Sequence, residues 1–169
     1  MPRTAFRFGE ATYPLDHLRS FKVRVAAKDP LAAPAVLQVT FSCHVFSEKW
    51  VDGMDGARRY IEKDETRAFC PVRYGCSIRL PQIVNYHVEG KAFEGRDSNG
   101  AKNYLFYDEA EGIKYPVFFR LGRADRIPGA HGILHVISAY QNPRLPPRHK
   151  LQSIKFARLV HTKCPPPTT

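Results

Sequence analysis

Alternating apolar and polar side chains predict two strands in the first third of the chain. Residues 18–26 alternate apolar with basic side chains, and residues 35–46 continue an alternation of apolar and polar side chains for longer. A period of two is typical of a strand that buries one face. The polar face of the second strand holds His44. We therefore predict two half-buried strands, with His44 on the exposed face of the second.

Two short helices are predicted next. Residues 57–65 follow a glycine-containing loop at residues 51–56, and a second helix begins at Pro71 and ends before Pro81. Proline suits a first helical position because it lacks the N–H that an interior position must donate. Arg73 and Ser77 are four residues apart in this helix, so they share one face.

From Asn85 onward the pattern predicts strands and turns until the last segment. Short, turn-rich connections between the strands are typical of antiparallel neighbours. We predict a single α+β domain over residues 1–169, mainly an antiparallel sheet with one or two short helices packed on it. Residues 1–16 are interpreted as a flexible arm and 164–169 as a flexible tail. The predicted strands are residues 91–94, 103–108, 115–121 and 132–140, with a turn at 97–100 and a strand or short helix at 151–163.

Composition favours a globular domain with a core, since 43% of the residues are hydrophobic and 12% are aromatic. The first twelve residues contain no apolar segment typical of an export signal, and nowhere do eighteen apolar residues follow one another. Four cysteines are few for a secreted scaffold. We expect a cytoplasmic protein with reduced thiols and no membrane association.

The charge of the chain indicates a polyanionic partner. Lysine and arginine number 26 against 16 acidic residues, which gives a formal net charge of +10. Such a chain attracts nucleic acid, because neutralising phosphates releases condensed counterions. Nucleic acid, with RNA favoured over DNA, is the expected partner. Two alternatives stay open: a charged surface that only aids solubility, and an acidic protein partner such as an inhibitor or antitoxin.

Known cofactor and metal motifs find little support. Residues 94–102 resemble a phosphate loop, but the lysine comes one place late and no Ser or Thr follows it. The patterns GxGxxG and GxSxG do not occur. His131 and His135 lie in a predicted strand, where four residues separate them by about 13 Å. We therefore expect no cofactor and no bound metal.

A set of polar residues on this basic, aromatic scaffold could cleave RNA without a metal. The RNA 2′-hydroxyl attacks its own phosphate when a base removes the proton and a cation stabilises the phosphate. We assign acid/base catalysis to His44, since an imidazole gains and loses protons near neutrality. We assign positioning of the RNA to Ser138 and Tyr140. The candidate substrate-binding residues are Arg73, Ser77, Tyr104 and Arg120.

Each assignment has a structural alternative. His44 could be a strand histidine hydrogen-bonded at a sheet edge. Arg73 and Ser77 could belong to a solvated helix face with ion pairs. Tyr104 and Tyr140 could stack on a base, or they could be packing aromatics with exposed hydroxyls.

Four segments resemble the barnase, EndoU, colicin and RelE group of ribonucleases: RYGCSIRLPQIV, NYLFYD, YPVFFRLGRAD and ILHVISAY. In that group a helical segment precedes an antiparallel sheet of about four strands, and the last core strand often ends in a small hydroxyl residue, a spacer and tyrosine. Ser138 and Tyr140 match that ending. The group often places a catalytic histidine or glutamate in the helical part, where this chain offers Glu62 or Glu65. The stretch FSCHVFSEKW also resembles a bacterial family without a defined activity.

The leading hypothesis is a metal-independent endoribonuclease, of toxin or phage-defence type, that promotes attack by the RNA 2′-hydroxyl. A non-catalytic nucleic-acid-binding module would use the same basic and aromatic residues. A basic subunit that binds an acidic protein is the third reading.

Overall fold

The computed structural model describes residues 5–29, 31–62, 64–96 and 100–166, which form an α+β domain. Within these residues there are twelve strands and three α-helices. The strands are β1 (Ala5–Phe8), β2 (Ala11–Pro14), β3 (Phe21–Val25), β4 (Ala35–Phe41), β5 (Ser47–Lys49), β6 (Arg59–Glu62), β7 (Glu65–Phe69), β8 (Lys91–Arg96), β9 (Lys102–Ala110), β10 (Ile113–Arg123), β11 (Gly132–Ala139) and β12 (Ser153–Lys155). The helices are α1 (Pro71–Ser77), α2 (Leu80–His87) and α3 (Phe156–Lys163).

Seven strands form the main sheet, in the order β12-β8-β9-β10-β11-β4-β3. The pairings are antiparallel except for β11 with β4, which run in the same direction. A smaller sheet has the order β5-β7-β6, and β1 pairs with β2 in a hairpin. The predicted α+β class with a mainly antiparallel sheet is confirmed, and the parallel pair is an addition.

The turn between β9 and β10 shows how local sequence fixes the register of the sheet. Ala110 pairs with Ile113, so only Glu111 and Gly112 connect the strands. Both have positive φ, 53° and 77°. A two-residue hairpin of this kind requires the left-handed region at both central positions, which glycine adopts without strain.

Two cores lie on opposite faces of the main sheet. In the larger one, α2 and α3 cover the sheet, and the fully buried side chains include Leu37, Val39, Phe106, Phe119, Leu134, Leu80, Val84, Phe156 and Val160. The smaller one joins Phe93, Leu105, Tyr107 and Leu145. Because β9 contributes to both, it is buried on both faces, as a central strand covered on two sides should be.

The N-terminal segment interpreted as an arm contains the hairpin β1 and β2. Its rings pack on Phe69, with Phe6 stacked at 4.5 Å and Tyr13 tilted at 4.6 Å between ring centroids. The strand predicted at 18–26 is confirmed as β3. Residues 97–99 of the predicted turn at 97–100 lie outside the described part of the chain. Of the predicted tail, residues 164–166 are described and residues 167–169 are not.

The helix predicted at 57–65 is wrong, because β6 and β7 occupy most of this segment. Side chains of β6 alternate between exposed and half-buried, which is the period of a strand. The helix predicted from Pro71 is confirmed as α1. Pro81 does not end the helical region, since it lies in the first turn of α2, where its missing N–H costs no hydrogen bond. The prediction of strands alone after Asn85 is therefore wrong up to His87, and the last segment holds both β12 and α3.

Candidate functional site

The parallel pairing of β4 and β11 builds the candidate site. In this register Phe41 pairs with Val136, and the Ser42 amide donates to the Val136 carbonyl at 2.9 Å. The carboxyl ends of parallel strands meet at one edge of a sheet. The residues after β4, including His44, and the residues at the end of β11, including Tyr140, therefore come to the same edge.

The alternation predicted that His44 lies on a strand, and this prediction is wrong. The strand ends at Phe41, and Cys43–Val45 forms a 3₁₀ turn. Ser42 caps this turn, because its Oγ accepts from the His44 amide at 3.2 Å. The turn redirects His44 towards β7, and 35% of the His44 side chain stays exposed.

A chain of hydrogen bonds runs from the core to His44. The Nε2 atom of His44 and the Oε2 atom of Glu65 are 2.9 Å apart. The other carboxylate oxygen of Glu65 accepts from Arg67 Nη1 at 2.7 Å, and Arg67 Nε donates to Ser47 Oγ at 2.9 Å. Ser47 is fully buried and Arg67 is 8% exposed. The buried Arg67 guanidinium thus fixes Glu65, and Glu65 orients the imidazole.

Sequence reasoning missed the roles of Arg67 and Ser47 because it assigned no structure to residues 66–70. It named Glu65 only as a glutamate available in a predicted helix. The alternation of polar and apolar residues in β6 was the available signal. In the smaller sheet β6 pairs with β7 so that Glu62 lies opposite Glu65. Only this pairing shows on which side of the sheet Glu65 lies.

The carboxylate of Glu65 supplies a negative charge to the pair that it forms with His44. The hydrogen bond from His44 lowers the pKa of Glu65 below its ordinary value of 4.5, burial works against this, and the hydrogen bond from Arg67 lowers the pKa further. The carboxylate is therefore ionised at neutral pH. An ionised carboxylate can only accept hydrogen bonds, so Nε2 of His44 carries the hydrogen and Nδ1 is the atom that can take a proton.

The lowered pKa of Glu65 predicts how acid acts on the pair. Stability from the pair is fully present above pH 4.5 and is lost as the pH falls through the lower pKa of the folded state. The difference in unfolding free energy between wild type and Glu65→Gln should therefore be larger at pH 6 than at pH 3. Because 49% of the Glu65 side chain is exposed, we expect no more than about 1 kcal/mol. Urea unfolding at both pH values measures this difference.

Glu111→Gln provides the control for that comparison. Glu111 is exposed in the turn between β9 and β10, and within the described ranges it makes no ion pair. The difference between wild type and Glu111→Gln should be the same at both pH values. A wild-type advantage over Glu65→Gln that is as large at pH 3 as at pH 6 would contradict the prediction.

The guanidinium of Arg73 contacts the backbone of the turn that carries His44. Its Nη1 atom donates to the carbonyls of His44 at 3.2 Å and Ser47 at 2.8 Å. Its guanidinium carbon lies 5.0 Å from the centroid of the Tyr140 ring, within the range of a cation–π contact. The sequence predicted Arg73, His44 and Tyr140 as site residues, and the structure brings the three together.

Ser138 and Arg120 lie further along the same face of the sheet. Ser138 pairs with Phe118, whose ring stacks on Tyr140 with centroids 6.0 Å apart. Arg120 pairs with His135 across β10 and β11. Ser138 therefore lies close to Tyr140, whereas Arg120 lies beside His135.

The structure buries Ser77 and Tyr104, two of the predicted substrate-binding residues. Ser77 is fully buried, where its hydroxyl donates to the Tyr74 carbonyl at 2.7 Å and lies 2.8 Å from His17 Nε2. It cannot hold a phosphate from an exposed helix face. Tyr104 is 6% exposed and stacks on Phe119 in the main core. It is a packing residue rather than a surface for a base.

A cavity of about 580 Å³ opens next to this edge. Glu65 and His135 line it together with Glu62 and Asp64. The Nδ1 atom of His135 lies 2.9 Å from Thr40 Oγ1, which holds its ring on the polar face of the sheet. The cavity therefore combines three carboxylates with a histidine, in a protein whose net charge is positive.

Three of these side chains could hold a metal ion. Ligand atoms of Cys43, His44 and Glu65 lie within 4.8 Å of one another. Thiolate, imidazole and carboxylate are ligands that Zn²⁺ accepts, and three protein ligands suit a zinc site that keeps one position open. Among the described residues no other group of three such side chains comes this close. Sequence spacing could not show this group, because Cys43 and His44 lie in the 3₁₀ turn after β4, whereas Glu65 lies on β7, 21 residues beyond His44.

A family model covers nearly all of this chain. The model described as the YjaZ family matches residues 5–164. The chain belongs to the YjaZ family. The match spans the hairpin, both sheets and α3, so the site lies inside the region that defines the family. Neither the curated proteins nor the solved structures provide a significant match. The resemblance to ribonucleases therefore stays a prediction.

Proposed function

We propose that this YjaZ-family protein is a metal-independent endoribonuclease, of toxin or phage-defence type, whose acid/base group is His44. The observation that carries the proposal is the 2.9 Å contact of His44 Nε2 with Glu65 Oε2, at a turn whose His44 carbonyl accepts from the guanidinium of Arg73. A carboxylate that orients an imidazole and stabilises its protonated form is a recurrent arrangement for proton transfer. The net charge of +10 supports RNA as the substrate.

The proton moves through His44 in both halves of the reaction. Nδ1 takes the proton of the RNA 2′-hydroxyl while the 2′-oxygen attacks the adjacent phosphorus. The bond from phosphorus to the 5′-oxygen then breaks, and His44 returns the proton to that leaving oxygen. The products are a 2′,3′-cyclic phosphate and a free 5′-hydroxyl. Glu65 stays ionised throughout and lowers the energy of the imidazolium.

Arg73 would hold the reacting phosphate. Its Nη1 atom is engaged by backbone carbonyls, and within the described ranges its Nε and Nη2 atoms have no hydrogen-bond partner. Guanidinium donors placed at the phosphate stabilise the charge that develops there. Glu62 and Asp64 would repel a phosphodiester from the cavity. We therefore place the phosphate on the Arg73 side of His44, where Tyr140 can stack on a base and Ser138 lies nearby.

The experiment is cleavage of single-stranded and structured RNA by the purified protein in the presence of EDTA. We expect products with a cyclic phosphate and a 5′-hydroxyl end, which are distinguished by end-labelling. An activity that disappears in EDTA and returns with Zn²⁺ would contradict metal independence and would instead assign Cys43, His44 and Glu65 as zinc ligands. RNA binding with a steep dependence on salt but without product would identify a binding module.

We also place the protein in the cytosol. All four cysteines are free thiols, with Cys43 and Cys164 buried, and free thiols persist in a reducing compartment. No helix in the described part of the chain has the length and apolar character that crossing a bilayer requires.

A further inference from the structure

A second, larger cavity lies at the opposite end of β4 from His44. Its volume is about 1000 Å³, and it is bounded by the end of β3, the segment that leads into β4, the end of α2 and one face of α3. Because β4 runs from Ala35 to Phe41, the two ends of this strand are about 20 Å apart. The cavity is thus separate from the candidate site.

The walls of this cavity are basic. Its charged lining residues are Arg24, Lys28, Lys155, Arg158 and the single acid Glu89. Within the described residues the charged groups of these four side chains form no ion pair and donate no hydrogen bond, whereas cations elsewhere in the domain, such as Arg58 and Lys102, have carboxylate partners. Four unpaired cations around one concavity repel each other, and an anion would relieve that repulsion.

The fold holds these groups on defined elements. Arg158 and His161 are three residues apart on α3 and so share one helix face. His161 Nε2 lies 3.4 Å from the Val25 carbonyl, which ties this face to the end of β3. Arg24 is the residue before Val25 on that strand. Arg24 and Arg158 therefore come from a strand and a helix that contact each other, Lys155 is the last residue of β12, and Lys28 lies in the segment between β3 and β4.

The base of the cavity is apolar. Val25 and Val88 line it and are 2% and 6% exposed. Ligand cavities usually combine an apolar lining with a few polar groups that fix orientation, and their volumes reach about 1,000 Å³. A ligand with an anionic end and an apolar body would use both parts of this surface.

We propose that this cavity binds a phosphorylated small molecule with an apolar part, of the size of a nucleotide. The phosphates would bind Arg24, Lys28, Lys155 and Arg158, and the apolar part would lie on Val25 and Val88. Arginine suits the role, since its planar donors pair with phosphate oxygens in a bidentate way. The proposal uses no residue of the His44 site, so it stands or falls independently of RNA cleavage.

Isothermal titration calorimetry of the full chain with ATP, AMP and adenosine tests this assignment. We expect affinity to decrease from ATP to AMP to adenosine, because charge supplies much of the binding. The double variant Arg24→Ala/Arg158→Ala should weaken ATP binding by about tenfold or more, because it removes two charge-assisted contacts with the phosphates.

Arg144→Ala/Lys150→Ala is the matched control, because it removes the same charge from exposed positions that do not line the cavity. It should change ATP binding by less than about twofold. The proposal is overturned if ATP does not bind at millimolar concentration, or if the control weakens ATP binding as much as the double variant does. It is also overturned if the double variant weakens binding of an RNA oligonucleotide but not of ATP. Circular dichroism of both double variants establishes that they are folded.

Discussion

Replacing His44 with alanine will lower the rate of RNA cleavage by about 10²- to 10⁴-fold, the range for loss of a general acid/base group. The proposed function assigns both proton transfers to this imidazole. The substitution should not disturb Arg73, because Arg73 donates to the backbone carbonyl of His44, which alanine retains. The measurement is the single-turnover rate on a labelled RNA in EDTA.

His149→Ala is the matched control for this prediction. His149 is exposed in a 3₁₀ turn near the C-terminus and does not line the cavity next to Glu65. Its replacement should leave the rate within about twofold. Glu65→Gln should lower the rate less than His44→Ala does, since the imidazole remains but loses the charge of its partner. A His44→Ala variant that retains full activity while folded would refute the assignment.

Replacing Phe106 with alanine will destabilise the domain by about 3–5 kcal/mol, the usual cost of deleting a large buried ring. Phe106 is fully buried at the centre of β9. Its ring lies 4.5 Å from that of Phe119, 5.1 Å from that of Phe156 and 5.4 Å from that of His87. The alanine variant would therefore open a cavity where the sheet, α2 and α3 meet. Urea unfolding followed by circular dichroism measures the loss.

Tyr86→Ala tests whether that loss comes from burial rather than from removing any aromatic ring. Tyr86 lies on α2, one residue from His87, and is 78% exposed. Its replacement should change the unfolding free energy by less than about 1 kcal/mol. Equal destabilisation by the two variants would show that Phe106 does not lie at the centre of the core.

Strand positions were predictable where one face of the strand is buried. The segments that became β3, β4, β9, β10 and β11 each show a period of two or a dense apolar and aromatic pattern, so the sequence alone located them. The helix predicted at residues 57–65 was wrong because the many polar residues of this segment fit a solvated helix as well as they fit a strand. Pairing of β6 with β7 decided the outcome, and such pairing depends on residues outside the segment.

Part of the candidate site could also be predicted. His44, Arg73 and Tyr140 were identified by residue type and by the shortage of other groups able to move protons and bind phosphate. Ser77 was misjudged, because helical spacing tells which residues share a face but not which face turns inward. The contact of His17 with Ser77 spans sixty residues of sequence, and no local pattern carries that information.

The basic charge, the α+β class, most strands and the residue types available for chemistry could be predicted, because each follows from composition or from short-range periodicity. The parallel pairing of β4 with β11 is visible only in the folded chain. That pairing joins segments almost a hundred residues apart, and side-chain alternation is the same for parallel and antiparallel strands. It brings His44 to Tyr140, while β7 brings Glu65 and Arg67 to His44. The site is therefore a product of long-range strand pairing.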